Sequence, residues 1–149
     1  MGLISRKPAV LLLEDGSVFK GNSLGKIGSA TGEICYNTGM TGYQEIYTDP
    51  SYFGQIIINT SSHIGNYGTV DEEQESKFPQ INGVIINEYS EVYSRSNSEE
   101  SLEDYFIKKA EDFFGFKNQQ INIENYFYFN KNNKISNQDE VILLAVYCN

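Results

Sequence analysis

The stretch from Gly32 to Gly68 constrains the fold more than any other part of the chain, because short apolar runs alternate there with turn-forming residues. Six glycines and one proline lie within it. Glycine lets a backbone turn tightly, and proline fixes φ where a turn begins. Polar side chains crowd these turns, which is the usual layout of a binding site carried on loops above a rigid scaffold. We expect the functional site to lie in this stretch.

Apolar periodicity predicts several strands. The runs Ala9–Leu13 and Val18–Lys20 are joined through Asp15-Gly16, a dipeptide typical of hairpin turns. Alternating or isoleucine-rich runs predict three further strands, at Glu33–Asn37, Gln55–Thr60 and Val84–Ile86. The segment from Tyr43 to Tyr47 fits a short helical turn or an extended segment equally well, and the two stay open.

One clear helix is predicted late in the chain. Ser98 is a suitable N-cap, and Glu99 and Glu100 would complement the helix dipole in the first turn. Apolar residues then recur at steps of three and four, at Leu102, Tyr105, Phe106, Ala110, Phe113 and Phe114. We expect these side chains to form core rather than a cofactor site. A strand-rich body with one such helix predicts an α+β domain.

Composition bounds the class of protein. A chain of 149 residues supports one domain, large enough to bury roughly 70% of its unfolded surface. A net charge of -9 argues against a nucleic-acid or anionic-membrane surface, because both need clustered Lys and Arg. No apolar run approaches the roughly 20 residues of a bilayer span, and residues 1–8 lack the apolar middle of a signal peptide. We expect a cytoplasmic protein with no nucleic-acid or membrane partner, and reduced thiols at Cys35 and Cys148.

Two patterns invite a ligand site, and both favour a structural explanation. Glycines recur every three or four residues from Gly21 to Gly32, as in a phosphate-binding loop. Such a loop needs Ser or Thr directly after its Gly-Lys pair, whereas Lys26 is followed by Ile27. The acidic run Asp71–Glu75 could hold a metal, but a solvated surface is the usual role of such a run. We predict no cofactor or metal bound by this chain.

The segment Asp49-Pro50-Ser51-Tyr52 is predicted to form a rigid turn. Pro50 presets φ at the second position, and the Asp49 carboxylate can accept hydrogen bonds from backbone N–H groups ahead of it. Ser51 would then be fixed at the bend. His63 is the single histidine, and adjacent side chains in an extended segment point in opposite directions, so His63 does not readily activate Ser62. We expect His63 to hydrogen-bond neighbouring backbone.

The same stretch resembles the N-terminal domain of the small, glutamine-using subunit of carbamoyl phosphate synthetase. That family carries a run of the form GE-x-x-x-NT-x-MTGYQE-x-x-TDPSY, followed by HIGN-x-G. Every fixed position of the run is filled here, from Gly32 to Tyr52 and again from His63 to Gly68. The resemblance extends from about Ala9 to about Tyr105.

The resemblance implies a layered β/β/α domain over residues 1–116. It also implies that Ser51, the serine of TDPSY, contacts glutamine where this domain abuts the glutaminase domain of the complete enzyme. There the small subunit hydrolyses glutamine and passes ammonia to a large subunit, which uses ATP and bicarbonate to make carbamoyl phosphate for arginine and pyrimidine biosynthesis. The implied partners are that large subunit, a glutaminase domain and glutamine. The family's catalytic cysteine lies in a Gly-rich nucleophile elbow that neither Cys35 nor Cys148 shares.

The composition changes after Phe116, since eight of the last 33 residues are Asn. We interpret residues 117–149 as a divergent Asn-rich tail, with the family's glutaminase domain absent. One hypothesis is that the reading frame is lost near Phe116. Another is a lineage-specific tail that repairs the sheet edge, with Val141–Tyr147 as the edge strand.

Three functional hypotheses follow. The first is a docking domain of the small subunit that has no catalytic residue of its own and does not hydrolyse glutamine alone. The second is a stand-alone interaction or regulatory module, or a non-functional truncated remnant of that subunit. The third is a small hydrolase that uses Ser51 and His63.

Overall fold

The computed structural model describes residues 6–25, 28–114 and 145–147. Within these ranges it contains two α-helices, α1 (Tyr43–Thr48) and α2 (Leu102–Phe114). The strands are β1 (Pro8–Leu12), β2 (Val18–Ser23), β3 (Ile34–Asn37), β4 (Ile56–Asn59), β5 (Gly83–Ile86) and β6 (Ala145–Tyr147). Two 3-10 turns cover Pro50–Tyr52 and Asp71–Glu73. This mixture of strands and helices confirms the α+β class, and it resolves the open choice at Tyr43–Tyr47 in favour of a helix.

All six strands form one sheet in the order β1-β2-β6-β5-β4-β3. Strands β3 to β6 run parallel to one another, whereas β1 and β2 pair as an antiparallel hairpin. The hairpin prediction is confirmed: Gly16 takes a φ of 86°, and the backbone of Leu13 bonds to that of Ser17 across the turn. The three other strand predictions are confirmed within one residue at each end.

Two apolar clusters lie on opposite faces of the sheet, because successive side chains along a strand alternate. In β4, Ile57 packs in the cluster under α1 and α2, whereas Ile56 packs in the other. The helix-side cluster holds the largest buried side chains, among them Tyr43, Tyr47, Tyr105 and Leu102. The second cluster joins Ala9 and Leu11 of β1 to Ile56 and Ile85. Both helices therefore cover one face of the sheet.

Helix α2 begins three residues later than the sequence predicts. Its cap is Ser101, whose hydroxyl oxygen accepts the Asp104 N–H at 3.0 Å. The predicted cap, Ser98, instead donates its hydroxyl to the Tyr67 carbonyl. The intervening backbone pairs with Thr69 through a bridge to Glu100, and this tertiary pairing excludes helix there. The core prediction for the helix is confirmed for Leu102, Tyr105, Phe106 and Ala110, which are all buried.

The tail contributes β6, but not at the edge of the sheet. Ala145–Tyr147 lies between β2 and β5, pairing antiparallel with the first and parallel with the second. The edge strands are β1 and β3. The remaining tail residues, including Cys148, lie outside the described residues, as do the side chains of Phe113 and Phe114. In the described part of the chain, neither helix is long and apolar enough to cross a membrane.

Candidate functional site

The motif-bearing stretch surrounds α1, and its first turn is capped by a tyrosine from the next loop. The Tyr67 hydroxyl oxygen accepts the backbone N–H groups of Gly42 at 2.7 Å and Tyr43 at 3.1 Å. The rings of Tyr43 and Tyr67 stack with centroids 4.2 Å apart, and the Tyr43 hydroxyl donates to the Gly68 carbonyl. Burial raises the pKa of both phenols. The two halves of the motif, residues 32–52 and 63–68, are thus joined directly.

Gln44 fixes α1 to the chain after the second motif. Its amide nitrogen donates to the Val70 carbonyl at 2.8 Å, and its amide oxygen accepts the Val70 N–H at 2.9 Å. The side chain is fully buried. The Val70 N–H has no other partner among the described residues, so this bond satisfies a buried donor. The Val70 carbonyl also accepts the Glu73 N–H at 3.2 Å. The Gln44 side chain therefore pairs with the Val70 backbone in the way that a neighbouring β-strand would.

The last turn of α1 is anchored to the sheet and to residues 75–80. The Tyr47 hydroxyl donates to Asn59 Oδ1 at 2.5 Å, and the ring is fully buried, which raises the pKa of Tyr47. Thr48 Oγ1 accepts the Glu75 N–H at 3.0 Å, and the Tyr47 carbonyl accepts the Gln80 N–H at 2.8 Å. Contacts with Asn59 of β4 and with residues 75–80 thus hold the last turn of a helix of only six residues.

Ser51 lies on the 3-10 turn that follows α1. Asp49 Oδ1 accepts the Ser51 N–H at 2.7 Å, Pro50 opens the turn, and the Phe53 N–H closes it on the Pro50 carbonyl. This confirms the predicted rigid turn. Ser51 is exposed, and within the described residues its hydroxyl makes no hydrogen bond. The serine is therefore held firmly by its backbone while its side chain is left available.

Large apolar side chains around this edge are exposed rather than buried. Met40, three residues before α1, is 82% exposed, and Phe53, directly after the turn, is 77% exposed. Tyr36 on the edge strand β3 is 76% exposed. Cys35, its neighbour, is half-buried and packs against the helix-side core, as expected for a structural thiol.

Two glycines in the stretch allow close backbone approach. A Cβ at Gly32 would collide with the Gly54 carbonyl oxygen, just before β3 and β4 pair. Gly68 has a φ of 70°, and a Cβ there would collide with the Ser98 hydroxyl. Both positions therefore require glycine, which explains part of the glycine content that suggested tight turns.

The structure does not bring His63 to a serine. Its Nδ1 lies 3.7 Å from Glu88 Oε2, and both side chains are more than half exposed. Across the described residues, no hydrogen bond joins His63 to Ser51 or Ser62. The imidazole thus faces a carboxylate rather than the neighbouring backbone that we expected.

The acidic run after the second motif is engaged in ion pairs. Glu73 pairs with Arg95, whose guanidinium also lies over the Tyr67 ring, 5.9 Å from its centroid. Asp71 Oδ1 lies 3.9 Å from Lys109 Nζ. Among the residues that the structure describes, no group of three or more His, Cys, Asp or Glu is arranged to hold a metal ion.

Sequence reasoning missed the role of Tyr67. This residue occupies the variable position of HIGN-x-G, so the motif carries no signal for it, and its contact with the N-terminus of α1 is long-range. The arrangement as a whole presents an exposed hydroxyl and exposed apolar side chains on a rigid support. Such a surface is suited to recognition of a partner or ligand.

Two comparisons with known proteins point to the same family. A family model described as the carbamoyl-phosphate synthase small chain, CPSase domain, matches residues 11–116. Curated relatives named carbamoyl phosphate synthase small chain include those of Thermosynechococcus vestitus, 51% identical over 98 residues, and Aquifex aeolicus, 53% identical over 100 residues. The match covers 66% and 67% of this chain. It spans only about a quarter of each relative's length, 26% and 27% respectively.

Proposed function

Because the chain belongs to the family of carbamoyl-phosphate synthase small chains, we propose that it is the N-terminal docking domain of such a subunit. In this role it binds a glutaminase domain and the large subunit, and the assembled enzyme uses glutamine, ATP and bicarbonate to make carbamoyl phosphate. The chain supplies one wall of the glutamine site and does not hydrolyse glutamine alone.

The observation that carries this proposal is the state of Ser51. Its backbone is fixed through Asp49 and Pro50, whereas its hydroxyl is exposed and has no partner among the described residues. A hydroxyl on a backbone that is already fixed can donate to or accept from a ligand without the entropy cost of ordering that backbone. We infer that Ser51 hydrogen-bonds glutamine once a glutaminase domain covers this edge.

The apolar side chains on the same stretch supply the proposed contact area. Met40 and Phe53 flank α1 and the Ser51 turn in sequence, and both are more than three-quarters exposed. Interfaces typically concentrate binding energy in a few such anchors. We also propose the layered β/β/α arrangement of the family, since a second apolar cluster joins β1 to the sheet face opposite the helices.

Binding to two separate probes tests the proposal. The full chain is immobilised and offered either the large chain of a bacterial relative or that relative's small chain without its N-terminal domain. We expect both to be retained. Met40→Ala and Phe53→Ala should each weaken retention of the small-chain probe about tenfold, as for interface anchors. Val92→Ala is the matched control, because Val92 is 66% exposed on another loop.

A folded chain that retains neither probe would contradict the docking role. It would favour the alternative, a stand-alone interaction or regulatory module. One observation supports that alternative: the tail strand β6 lies inside the sheet, where it pairs with both β2 and β5. A remnant with no function would bind neither probe and would show no other partner.

A further inference from the structure

The two edges of the sheet are built differently. One edge strand, β1, opens with Pro8, and proline on an edge strand cannot donate a backbone N–H to a further strand. The other edge strand, β3, consists of Ile34, Cys35, Tyr36 and Asn37. It carries neither proline nor a charged side chain, which are the features that commonly keep further strands from adding to an edge. In the part of the chain that the structure describes, the β3 edge is therefore open to strand addition.

The outward-facing backbone groups of β3 belong to Ile34 and Tyr36. The carbonyls of Glu33 and Asn37 accept N–H groups from the β4 side, at 2.8 and 3.1 Å. Because the N–H and C=O groups of an extended strand reverse direction from one residue to the next, those of Ile34 and Tyr36 point away from β4. Among the described residues no strand lies on that side, and these groups make no hydrogen bond there. An added strand would find four backbone partners.

This edge is continuous with the turn that carries Ser51. The Asn37 side-chain amide, at the end of β3, donates to the Tyr52 hydroxyl at 3.4 Å, and Tyr52 directly follows Ser51. Just before β3, Gly32 lies so close to the Gly54 carbonyl that a Cβ would collide with it. The β3 edge thus borders, at both of its ends, the segment that carries the proposed glutamine contact.

The side chain of Tyr36 can select the residue that lies beside it. Its ring is 76% exposed, and Cys35, its neighbour, packs on the helix side of the sheet. Because side chains alternate along a strand, Tyr36 stands on the opposite face. Aromatic and β-branched residues on neighbouring strands pack favourably against each other. A segment with such a residue beside Tyr36 would fit this edge.

We propose that the β3 edge accepts an extended segment of the glutaminase domain, so that the sheet continues from this chain into that domain. The proposal rests on the docking role and adds a main-chain contact to it. The occupant is a glutaminase domain because the edge is continuous with the Ser51 turn, whereas a net charge of -9 makes two copies of the chain repel each other. In strand addition, main-chain hydrogen bonds give affinity and alternate side chains give specificity.

Hydrogen exchange at single amides tests the strand addition. The full chain is measured alone and with the small chain of a bacterial relative that lacks its N-terminal domain, the same probe as in the retention experiment. We expect the amides of Ile34 and Tyr36 to exchange at least about tenfold more slowly in the complex, because each gains a hydrogen bond. The Cys35 amide faces β4 and should be protected in both states. The Val92 amide, on another exposed loop, should exchange equally in both.

The outcomes separate this proposal from the docking role. Retention of the probe with unchanged exchange at Ile34 and Tyr36 would overturn strand addition and leave the docking role standing. A folded chain that does not retain the probe would overturn both. Protection that exists without the probe and rises with the concentration of the chain would assign the edge to a second copy, and would also overturn the proposal.

A pair of variants at Tyr36 tests the main-chain contact separately. Tyr36→Pro removes an outward N–H group, and proline is tolerated on an edge strand when its nitrogen faces away from the sheet. Tyr36→Ala loses the same ring but keeps the N–H group. We expect Tyr36→Pro to retain the probe about tenfold more weakly than Tyr36→Ala. Equal retention would contradict the proposal. If circular dichroism shows that Tyr36→Pro does not fold, the exchange measurement on the unmodified chain decides.

Discussion

The inner and outer sides of the motif-bearing stretch differ sharply in how their residues are used. On the inner side, Tyr47 is fully buried and Gln44 makes two hydrogen bonds to one backbone unit. On the outer side, Tyr36 is 76% exposed and the Ser51 hydroxyl has no partner among the described residues. One stretch of sequence therefore supplies both buried, hydrogen-bonded residues that support the fold and exposed residues that are available for binding.

This difference separates the residues of the stretch that support the fold from those that are exposed. A tyrosine or a glutamine can be core in one position and surface a few residues away, and residue type alone does not distinguish the two. Burial and hydrogen bonding decide. The inner residues should control the free energy of unfolding, whereas the outer residues should control binding.

A pH above about 10 should destabilise the protein through its buried tyrosines. Burial raises the pKa of Tyr43, Tyr47 and Tyr105 above the ordinary value of about 10. The unfolded chain then loses these protons first, so the stabilisation is fully present below about pH 10 and is lost as the pH rises further. Each such tyrosine lowers the free energy of unfolding by about 1.4 kcal/mol for every pH unit between its pKa in the unfolded chain and its higher pKa in the folded protein. We expect tyrosinate absorbance to rise together with loss of circular dichroism; gradual ionisation of a folded protein would contradict the burial.

Truncation of a tyrosine separates the two sides next. Tyr47→Ala should lower the free energy of unfolding by about 3–5 kcal/mol, as for other large aromatic truncations in a core. Tyr36→Ala is the matched control on the outer side and should change it by less than about 0.5 kcal/mol. Urea denaturation, followed by far-ultraviolet circular dichroism of the backbone, measures the free energy of unfolding of both variants. Equal effects of the two substitutions would remove the distinction between the sides.

Gln44→Ala should lower the free energy of unfolding by about 1–3 kcal/mol, because it leaves the Val70 N–H buried without a partner. The Val70 carbonyl keeps the Glu73 N–H as a donor. Gln55→Ala is the control, since the Gln55 amide makes an exposed contact with Glu33 at 3.4 Å. The same denaturation experiment measures both variants. A small effect of Gln44→Ala would mean that water reaches Val70.

The Tyr47–Asn59 pair offers a finer test. Tyr47→Phe removes the donor to Asn59 Oδ1 and should lower the free energy of unfolding by about 1–2 kcal/mol. Asn59 Nδ2 is already buried without a partner. Adding Asn59→Leu should therefore recover most of the loss, because replacing both members of a buried polar pair is close to neutral. A double-mutant cycle measures the coupling, and strictly additive losses would contradict it.

The smallest expected effect concerns the helix cap. Ser101→Ala should cost about 1 kcal/mol, within the usual range for loss of an N-cap. Ser96→Ala, at an exposed position before α2, should be close to neutral. Thermal unfolding of the two variants provides the comparison. A neutral Ser101→Ala would indicate that α2 is held by its buried face alone.

Local signals were sufficient for much of the fold. The hairpin at Asp15-Gly16 and the turn at Asp49-Pro50 were predictable because their geometry depends on neighbouring residues. The start of α2 was not, since the pairing of Thr69 with Glu100 displaces the cap from Ser98 to Ser101. Tertiary contacts can override local propensity in this way.

The site followed the same rule. Ser51 was placed correctly on its turn by Pro50, but the six-residue helix before it could not be decided from sequence. Its stability comes from long-range bonds to Tyr67 and Val70. The interior position of β6 was equally non-local, because it depends on pairing with both β2 and β5.

Ammonia release from glutamine tests the central claim most directly. The purified full chain, incubated with glutamine alone, should release no ammonia above the buffer control, because we propose that Ser51 forms only one wall of the glutamine site and that the reaction needs a second domain. Release that scales with the amount of chain and disappears in Ser51→Ala would show a complete catalytic centre here and would contradict the account.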